Sequence, residues 1–425
     1  MPSDCISFQN SGYFSSLIND YLDQKPNVQP LYHRFPTLEN FGPQIEEKKA
    51  NFDDSKRAIL VAVLEAQYAK IKASTATLNN IKLLNHSNTY TITTGHQLNL
   101  FSGPLYFLYK IISTINLTKE LQQQYPEQNF VPVYWMATED HDFEEINYFT
   151  FKGKKFYWNR ESTGPVGRLS TEGLEEFLAV FALELGNSTN AETLKKLFQE
   201  AYLKHANLAD ATRYLANALF GHYGLVILDA DDANLKRQFI PFIKEELLKQ
   251  TAFSKVNETI EQFGNYTVQV NPREINLFFI EDNLRERIIF EDGGYKINNT
   301  KRHFSEQELL AELELHPEKF SPNVVMRPLY QEVILPNLAY IGGGGEIAYW
   351  LELKSFFETV KVTFPMLIVR NSVVLATEKQ LKKADALALT WSDLFQKQTL
   401  LINNKTKQLS EFDIDLSDLK QQLQQ

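Results

Sequence analysis

Two features are scarce in this 425-residue sequence: cysteine, which occurs once as Cys5, and long apolar runs. A lone thiol cannot form an intrachain disulfide or a thiolate metal cage. No apolar run approaches the roughly 18 residues of a membrane helix, and the start MPSDCISFQNSGYF lacks the basic residues and apolar core of a secretion signal. We therefore expect a protein of the reducing cytoplasm that makes no membrane contact.

Basic residues are also in short supply. The chain has 43 Lys and Arg against 53 Asp and Glu, a formal net charge of −10. Because nucleic-acid backbones are bound by clustered Lys and Arg, general nucleic-acid binding is excluded and only a local basic pocket remains open. The 43% hydrophobic content, with 30 Phe and 19 Tyr, is enough for substantial cores. At about 100 to 200 residues per domain, the length predicts two to four domains.

The order of predicted strands and helices indicates an α/β fold with a parallel sheet. The apolar strands TYTITTGHQ, FVPVYWMATE, YGLVILDADD, LPNLAYI and FPMLIVR alternate with helical segments, as in βαβ units. Helical spacing predicts one helix over 43–71, others over 234–249 and 346–357, and a helix after the first strand with Ser102 as its cap and Pro104 in its first turn.

Two stretches interrupt this alternation. The first begins with a predicted hairpin around Lys152-Gly153-Lys154 and continues into helices, and the second, 266–298, reads as a small antiparallel element that starts with NYTVQV. The predicted divisions are 1–146, first half of the core; 147–220, a mainly helical insertion; 221–250, core; 251–322, an α+β insertion; 323–375, second half of the core; and 376–425, the start of a helical arm.

Polar residues follow each predicted core strand. In open parallel sheets ligands bind beyond the carboxyl ends of the strands, so we expect these residues to line one cleft. The five corners are Thr94-Gly95-His96-Gln97, Glu139-Asp140-His141-Asp142, Asp229-Ala230-Asp231-Asp232, Gly342-Gly343-Gly344-Gly345-Glu346 and Arg370-Asn371-Ser372.

Several corners allow more than one interpretation. Asp231 or Asp232 could simply cap the next helix, whereas Asp229 in an Asp-x-Asp pattern could be the nucleophile of a phosphatase-like hydrolase. The four glycines could form a plain turn or admit phosphate at a helix N-terminus, although neither standard nucleotide motif is complete. Around His141 no complete metal-ligand pattern exists, so an amine-binding or general-base role ranks above a metal.

Four stretches resemble the cysteine-adding enzyme family of bacillithiol biosynthesis, BshC. They are TTGHQLNLFSGPLYFLYK, VPVYWMATEDHDFEEIN, SPNVVMRPLYQEVILPNLAYIGGGGEIAYWLELK and FPMLIVRNS. The resemblance extends in order and spacing over nearly the whole chain. It implies a nucleotidyltransferase-like Rossmann core related to class I aminoacyl-tRNA synthetases, two connective insertions, and a C-terminal coiled-coil arm that pairs protomers into a homodimer. Since family members continue through a longer coil, the arm is expected to be cut short here.

The resemblance also implies a reaction, the condensation of cysteine with the amine of glucosaminyl malate, with ATP as cosubstrate that activates the cysteine carboxylate. The implied roles fall into three groups: catalytic His96, Asp140, His141 and Asp142; nucleotide-binding Gly95, Gln97, Ser102, Gly342, Gly343, Gly344, Gly345 and Glu346; and substrate-binding Arg327, Arg370 and Asn371. No protein-bound metal is expected. Either arginine could instead form a structural ion pair.

The chain departs from the synthetase pattern in two places. Its first motif is Gly-His-Gln instead of a two-histidine signature, and Arg370-Asn371-Ser372 stands where a Lys-rich signature would follow the last strand. Recognition of the thiol is left unassigned by the sequence. The second hypothesis is a nucleotide-binding sensor or assembly protein that uses the same cleft without turnover.

Overall fold

The computed structural model describes residues 5–409. Contacts divide the chain into two compact units, one spanning 24–372 and the other joining the residues up to 23 with those from 373 onward. All strands of the described residues lie in the larger unit. They are β1 (Thr89–His96), β2 (Asn129–Met136), β3 (Tyr148–Phe151), β4 (Lys154–Tyr157), β5 (Val226–Asp229), β6 (Leu277–Glu281), β7 (Leu284–Glu291), β8 (Gly294–Ile297), β9 (His303–Phe304), β10 (Phe320–Pro322), β11 (Asn337–Gly342) and β12 (Met366–Val369).

Helices precede the first strand, follow the last one and connect many of the others. They are α1 (Phe8–Ser11), α2 (Ser16–Leu22), α3 (Phe41–Asn51), α4 (Ser55–Tyr68), α5 (Thr75–Leu83), α6 (Tyr106–Gln124), α7 (Phe143–Ile146), α8 (Leu174–Leu185), α9 (Thr189–Phe198), α10 (Leu208–Phe220), α11 (Ala233–Arg237), α12 (Ile240–Lys249), α13 (Thr251–Ile260), α14 (Glu306–Leu315), α15 (Met326–Ile334), α16 (Gly344–Leu351), α17 (Lys354–Val360), α18 (Glu378–Ala386) and α19 (Gln398–Leu409). A π-helical turn, Gln199–Leu203, continues α9.

Five strands form the predicted parallel core, in the order β12-β11-β1-β2-β5. Each neighbouring pair runs parallel, so all five carboxyl ends meet at one edge. The chain passes from β1 through β2 to β5 on one side and returns to the other side of β1 with β11 and β12. The strand order therefore reverses between β1 and β11, where open α/β sheets form their ligand crevice.

The buried position of β1 explains its composition. All eight of its residues are buried, and its threonines find partners within the sheet. Thr91 and Thr93 donate to the Asn337 side-chain oxygen at 3.1 and 2.8 Å, and Thr94 donates to the Ile341 carbonyl at 2.8 Å. Because buried polar groups are costly when unpaired, these bonds fix β1 beside β11 at the switch point.

Several predicted helix limits are wrong. The single helix over 43–71 is broken between α3 and α4, where Phe52 is extended and the Asp53 carboxylate accepts from the Ser55 amide at 3.0 Å. The helix over 234–249 is likewise two helices, and Pro241, which lacks an amide hydrogen, stands in the first turn of the second. The helix over 346–357 divides into α16 and α17.

The start of α6 was also predicted wrongly. It begins at Tyr106, and its N-cap residue Leu105 makes no side-chain capping bond. Ser102 lies instead in a short turn before the helix, with a φ of 71°. Gly103 reverses the chain there at a φ of 59°, and a Cβ on it would lie 2.5 Å from the Cβ of Asn99. Because of this turn, the helix begins at Tyr106 and not directly after Ser102.

Both predicted interruptions contain the expected elements. The β3–β4 hairpin turns at Lys152 and Gly153 and is followed by α8, α9 and α10. The second interruption holds an antiparallel sheet in the order β10-β6-β7-β8-β9. The segment NYTVQV was predicted to begin this sheet, but it forms no strand. Helix α13 lies before this segment. The exact domain boundaries stay predictions.

The β6–β7 turn is clamped to the core by the loop after the first hairpin. Arg168 bonds Asp231 through two nitrogens, at 2.8 and 3.0 Å, and reaches Asp282 in the β6–β7 turn at 3.0 Å. Gly164 has a φ of 72°, and a Cβ on it would lie 2.6 Å from the Asp282 carbonyl oxygen. The antiparallel sheet is thus held by a close backbone approach that only glycine permits.

The smaller unit contains α1, α2, α18 and α19, and the rings of Tyr13 and Phe395 meet edge to face at 5.9 Å. Helices do follow residue 376, as predicted, but pairing of protomers through a coiled coil stays a prediction. Residues 410–425 of the predicted arm lie outside the described residues. Among the helices of 5–409, none combines the length and apolar character required to span a bilayer.

We predict that Gly164→Ala destabilises the protein more than Gly153→Ala. Both glycines have positive φ, 72° and 78°, but a Cβ at Gly153 would have nothing within 4 Å. The two variants share the backbone penalty, so the overlap with Asp282 should cost Gly164→Ala about 1 to 3 kcal/mol more. Chemical denaturation followed by circular dichroism measures the difference, and equal losses would contradict the clamp.

Candidate active site

A buried ion pair occupies the crevice between β1 and β11. Lys110 is an isolated charge on the buried face of α6, and its ammonium contacts the Gly95 carbonyl and the Glu346 carboxylate, the latter at 2.8 Å. Glu346 also accepts from the Tyr340 hydroxyl at 2.7 Å and from the Gly343 amide at 2.8 Å. Burial would raise the pKa of Glu346, but Lys110 and these hydrogen bonds lower it. Glu346 is therefore ionised, and both its oxygens are engaged.

Arg327 on α15 adds a second cation to this crevice. Its guanidinium lies 5.8 Å from the Trp135 ring and 5.6 Å from the Tyr340 ring. It donates to the Gln331 side chain at 3.1 Å and to the Tyr349 hydroxyl at 3.4 Å. A Cβ on Gly95 would come within 3.9 Å of its Nη1, so Arg327 lies directly against the end of β1.

Arg370, just beyond β12, supplies the third cation. Its amide donates to the Gly342 carbonyl at 2.8 Å, and its guanidinium lies 4.9 Å from the centre of the Tyr106 ring. The neighbouring Asn371 is exposed, and its amide donates to the Ser113 hydroxyl at 3.3 Å. Arg370 therefore joins the end of β12 to the beginning of α6.

The crevice has an excess of positive charge. Lys110, Arg327 and Arg370 surround a single carboxylate, Glu346. Within residues 5–409 neither arginine has a carboxylate oxygen within 4.0 Å, so neither forms the structural ion pair that was the alternative reading. Guanidinium groups without such partners, in a partly buried crevice, suit phosphate or carboxylate oxygens.

His96 lies at the same strand end but is neutral. Its Nδ1 is 3.1 Å from the Gln97 carbonyl, and because a carbonyl can only accept, Nδ1 carries the hydrogen. Burial and the nearby Lys110 lower the pKa of His96 to about 3. Nε2 is buried and has no hydrogen-bond partner among the described residues. Nε2 therefore has a lone pair and can accept a hydrogen bond but not donate one. Because phosphate oxygens also accept, the neighbouring cations suit a phosphate better than His96 does.

An acidic corner follows β2. The Gln97 amide nitrogen donates to Asp140 at 3.0 Å and to Glu145 at 2.8 Å, which ties the end of β1 to this corner. The other Asp140 oxygen accepts from the His141 amide at 2.8 Å. Burial alone would raise the pKa of Asp140, but hydrogen bonds from His141 and Gln97 hold it below its usual value. Burial and the Asp140 charge raise the pKa of Asp142.

The antiparallel sheet contributes Arg285 to this corner. Its Nη1 lies 2.7 Å from His141 Nδ1, and its guanidinium stacks 3.9 Å from the centre of the Phe278 ring. Since arginine can only donate, His141 Nδ1 is the acceptor, and Nε2 lies 3.9 Å from Asp142. Ligand atoms of Asp140, His141 and Asp142 lie within 4.8 Å of one another, close enough for a metal ion. Exposed acidic groups commonly have this spacing, and the expectation of no metal stays a prediction.

The third corner is built as a structural element. The Asp229 carboxylate accepts from the Thr138 hydroxyl and, at 3.0 Å, from the Asp231 amide. Burial raises the pKa of Asp229, which disfavours an ionised nucleophile. Asp232 accepts from the amides of Asn234 and Leu235, at 2.8 and 3.1 Å, so it is the helix cap proposed as one alternative.

The remaining predicted residues lie at the same edge or near it. The first residues of α16 are Gly344 and Gly345, with Gly343 as N-cap, so the glycine turn does open a helix. Ser102 lies in the turn between β1 and α6, with no side-chain hydrogen bond within the described segment. The carboxyl edge thus brings the predicted corners together, with the third corner in a structural role.

Sequence reasoning missed Lys110, Glu145 and Arg285. Lys110 had a signal, because it is the one charge within the apolar run LYFLYKII at the start of α6. Glu145 lies three residues beyond the predicted corner 139–142, in the acidic stretch EDHDFEE. Arg285 had no comparable signal, since its contact with His141 joins residues 144 positions apart through an inserted sheet.

Fold and site together define an α/β protein of the Rossmann-like class, whose cleft places a cationic crevice beside an acidic corner. Residues 1–371 match the family model described as "Bacillithiol biosynthesis BshC, N-terminal Rossmann-like domain". The chain therefore belongs to the BshC family.

Similar proteins carry the same family name. The chain is 71% identical over 421 residues to the "Putative cysteine ligase BshC" of Flavobacterium johnsoniae, covering 99% of this chain and 80% of the relative. It is 64% identical over 424 residues to the one from Flavobacterium psychrophilum, covering 100% of this chain and 80% of the relative. The Bacillus cereus strain B4264 relative is 31% identical over an alignment of 372 residues, with coverage of 84% of this chain and 68% of that protein.

We predict that His96 weakens the fold on acidification. Its folded pKa of about 3 lies below the usual histidine value of 6.5, so between these values the unfolded chain binds a proton that the folded protein excludes. Stability is unaffected by His96 above pH 6.5 and falls as the pH drops from there. The free energy of unfolding of the wild type should fall faster than that of His96→Asn by up to about 1.4 kcal/mol per pH unit.

Urea unfolding at pH 7, 6, 5 and 4 measures this slope. Substitution of the exposed His86 with Asn provides the matched control and should leave the wild-type slope unchanged. Identical slopes for the wild type and His96→Asn would contradict a neutral buried imidazole.

Proposed function

We propose that this protein is the cysteine ligase of bacillithiol biosynthesis, which forms an amide between the cysteine carboxylate and the amine of glucosaminyl malate with ATP as cosubstrate. Membership of the BshC family supports the reaction class. The single structural observation that carries the proposal is the excess of cations over carboxylates at the topological switch point, beside a glycine turn and an acidic corner. We also propose a cytoplasmic homodimer, as expected from the sequence.

ATP answers a chemical need of this reaction. A free carboxylate is a poor acyl donor, so one of its oxygens first attacks a phosphorus atom of ATP. An adenylate forms with loss of pyrophosphate, or an acyl phosphate forms with loss of ADP. Amine attack on the activated carbonyl carbon then expels the phosphate-containing group. Lys110, Arg327 and Arg370 would stabilise the negative charge that develops during both steps.

The glycine turn complements these cations. Gly343, Gly344 and Gly345 have no side chains, so a phosphate can approach the amides at the start of α16. Gln97 and Ser102 would assist from the end of β1 and the following turn. Glu346 already accepts from Lys110, Tyr340 and Gly343, so a nucleotide hydroxyl would have to share an oxygen that is in use.

The acidic corner suits the attacking amine. An ammonium ion cannot attack a carbonyl, so a proton must leave before or during bond formation. Asp140 is held ionised by Gln97 and His141 and would attract the ammonium group. Asp142 is the more basic carboxylate, because its pKa is raised, and we assign it the proton. His141, with its Nδ1 occupied by Arg285, would orient the amine rather than remove the proton.

Product formation separates this proposal from a nucleotide sensor. The protein is incubated with ATP, cysteine and glucosaminyl malate, and the thiol product and the released nucleotide are followed by mass spectrometry. We expect an amide product together with AMP or ADP. Nucleotide binding without product would favour the sensor.

We predict that Lys110→Met lowers kcat/KM for ATP at least about 100-fold, because removal of a charged group from a transition state commonly costs about 3 kcal/mol. Lys119→Met is the matched control, since Lys119 is exposed on the same helix. Steady-state kinetics at saturating cysteine measure the effect, and melting temperatures verify folding. Equal activities of the two variants would remove Lys110 from the mechanism.

We predict that Asp140→Asn lowers kcat about 100-fold or more, as expected for loss of a group that handles the reacting proton or amine. The new amide would also place a donor against the Gln97 donor at 3.0 Å, unless it turns around. Asp229→Asn should stay within a few-fold of wild type. The reverse order of activities would favour the hydrolase alternative.

A further inference from the structure

Among the described residues, two partly buried arginines on β7 have no carboxylate partner. Arg285 and Arg287 are two positions apart and pair with Ile280 and Phe278 of β6, so all four project from one face of the antiparallel sheet. The Nε atoms of both arginines are buried, and no residue of 5–409 provides them with a hydrogen-bond acceptor. In the described part of the chain neither guanidinium has a carboxylate oxygen within 4.0 Å.

Unpaired guanidinium donors on one face indicate an anion ligand. A buried donor without an acceptor costs free energy, and the cost is larger for a charged group. The face of Arg285 is covered by Phe278, whose ring centre is 3.9 Å away, so only its edge is available for hydrogen bonds. Planar edges of this kind bind carboxylates through paired N–H groups.

Arg285 places this face of the sheet beside the acidic corner. Arg285 contacts His141 Nδ1 at 2.7 Å, and Arg168 fixes the preceding β6–β7 turn through Asp282 at 3.0 Å. Negative charges from Asp140, Glu139 and Asp142 also act on Arg285. A simple anion would be repelled by these carboxylates. A molecule with an ammonium group near a pair of carboxylates would satisfy both halves of the surface.

We propose that Arg285 and Arg287 bind the carboxylates of the amine-bearing substrate and so select an amino sugar that carries a dicarboxylic group. The inference rests on the proposed function, in which that substrate is glucosaminyl malate. Its amine would lie against Asp140 and Asp142 while its malyl carboxylates meet the arginine pair. Arg327 and Arg370, to which the sequence assigned the malate, would then be free to bind phosphate beside Lys110.

Ligase kinetics with two acceptors test this selection. Arg287→Gln should raise KM for glucosaminyl malate about tenfold or more, since charge-assisted hydrogen bonds are lost, and should leave KM for ATP and cysteine unchanged. Activity with glucosamine, which has the amine but no malyl group, should not change. Arg302→Gln is the control, because Arg302 is already paired with Glu281 at 2.8 Å. Equal changes for both acceptors, or none, would overturn the proposal.

Binding separates this inference from the ligase reaction itself. In isothermal titration with glucosaminyl malate, Arg285→Gln and Arg287→Gln should each raise Kd about tenfold or more over the wild-type value. Arg287→Lys keeps the charge without the paired donors, so its Kd should lie between those of wild type and Arg287→Gln. This variant also tests the site if Arg287→Gln does not fold. If wild type binds in this arginine-dependent manner but forms no amide, the site stands and the ligase proposal fails. Equal binding by wild type and Arg287→Lys, with Arg285→Gln also unaffected, would overturn the site.

Discussion

The buried ion pair between Lys110 and Glu346 is the interaction on which the candidate site depends. The two side chains are only 4% and 28% exposed, and they join α6, which follows β1, to α16, which follows β11. Loss of one member of a buried pair usually costs about 3 to 5 kcal/mol, because the other charge is left uncompensated. Gly95, Gly343 and Tyr340 complete the hydrogen bonding of the pair. The ion pair therefore ties the two sides of the crevice together without a ligand.

The strand order places this ion pair and the acidic corner at the same edge of the sheet. Because β1 lies between β2 and β11, its final residues face both sides, and Gln97 links the crevice to the acidic corner through Asp140. Arg327 and Arg370 lie on the β11 and β12 side and Lys110 lies on α6, whereas the carboxylates of the acidic corner follow β2. Such separation suits a reaction between an anionic activated acid and an amine, since each reactant is attracted to a different side of the same edge.

The sequence predicts the parts of the fold that rest on local composition. Four of the five core strands are largely apolar on consecutive residues, as strands covered on both faces should be, whereas β1 is rich in threonine. Polar corners after all five strands predict the shared edge. Helix limits were less predictable. Phe52 is extended at the end of α3, and the Asp53 carboxylate accepts from the first amide of α4. The close approach of Gly103 to Asn99 delays α6 beyond Ser102. Neither contact alters the apolar spacing that predicts a helix.

The same distinction applies to the site. His96 and Asp140 were predictable because they follow strands, but the protonation state of His96 depends on burial and on Lys110, which no spacing reveals. Asp229 has the same position relative to its strand, yet Thr138 and the Asp231 amide make it structural. Sequence position locates candidate groups, and only their partners decide their chemistry.

The inserted sheet belongs to the site for a physical reason. Arg168 pairs with Asp231 at the end of β5 and with Asp282 in the β6–β7 turn, while Asp231 also contacts Lys236 at 3.1 Å. The planar guanidinium of Arg168 contacts both carboxylates at the same time, so displacement of the turn would break a charged network next to the sheet edge. That restraint fixes the strand which carries Arg285 to His141. The acidic corner is thus completed by a segment outside the parallel core. Under the proposed function, variation in this segment would change the acceptor while the crevice proposed to bind phosphate stays the same.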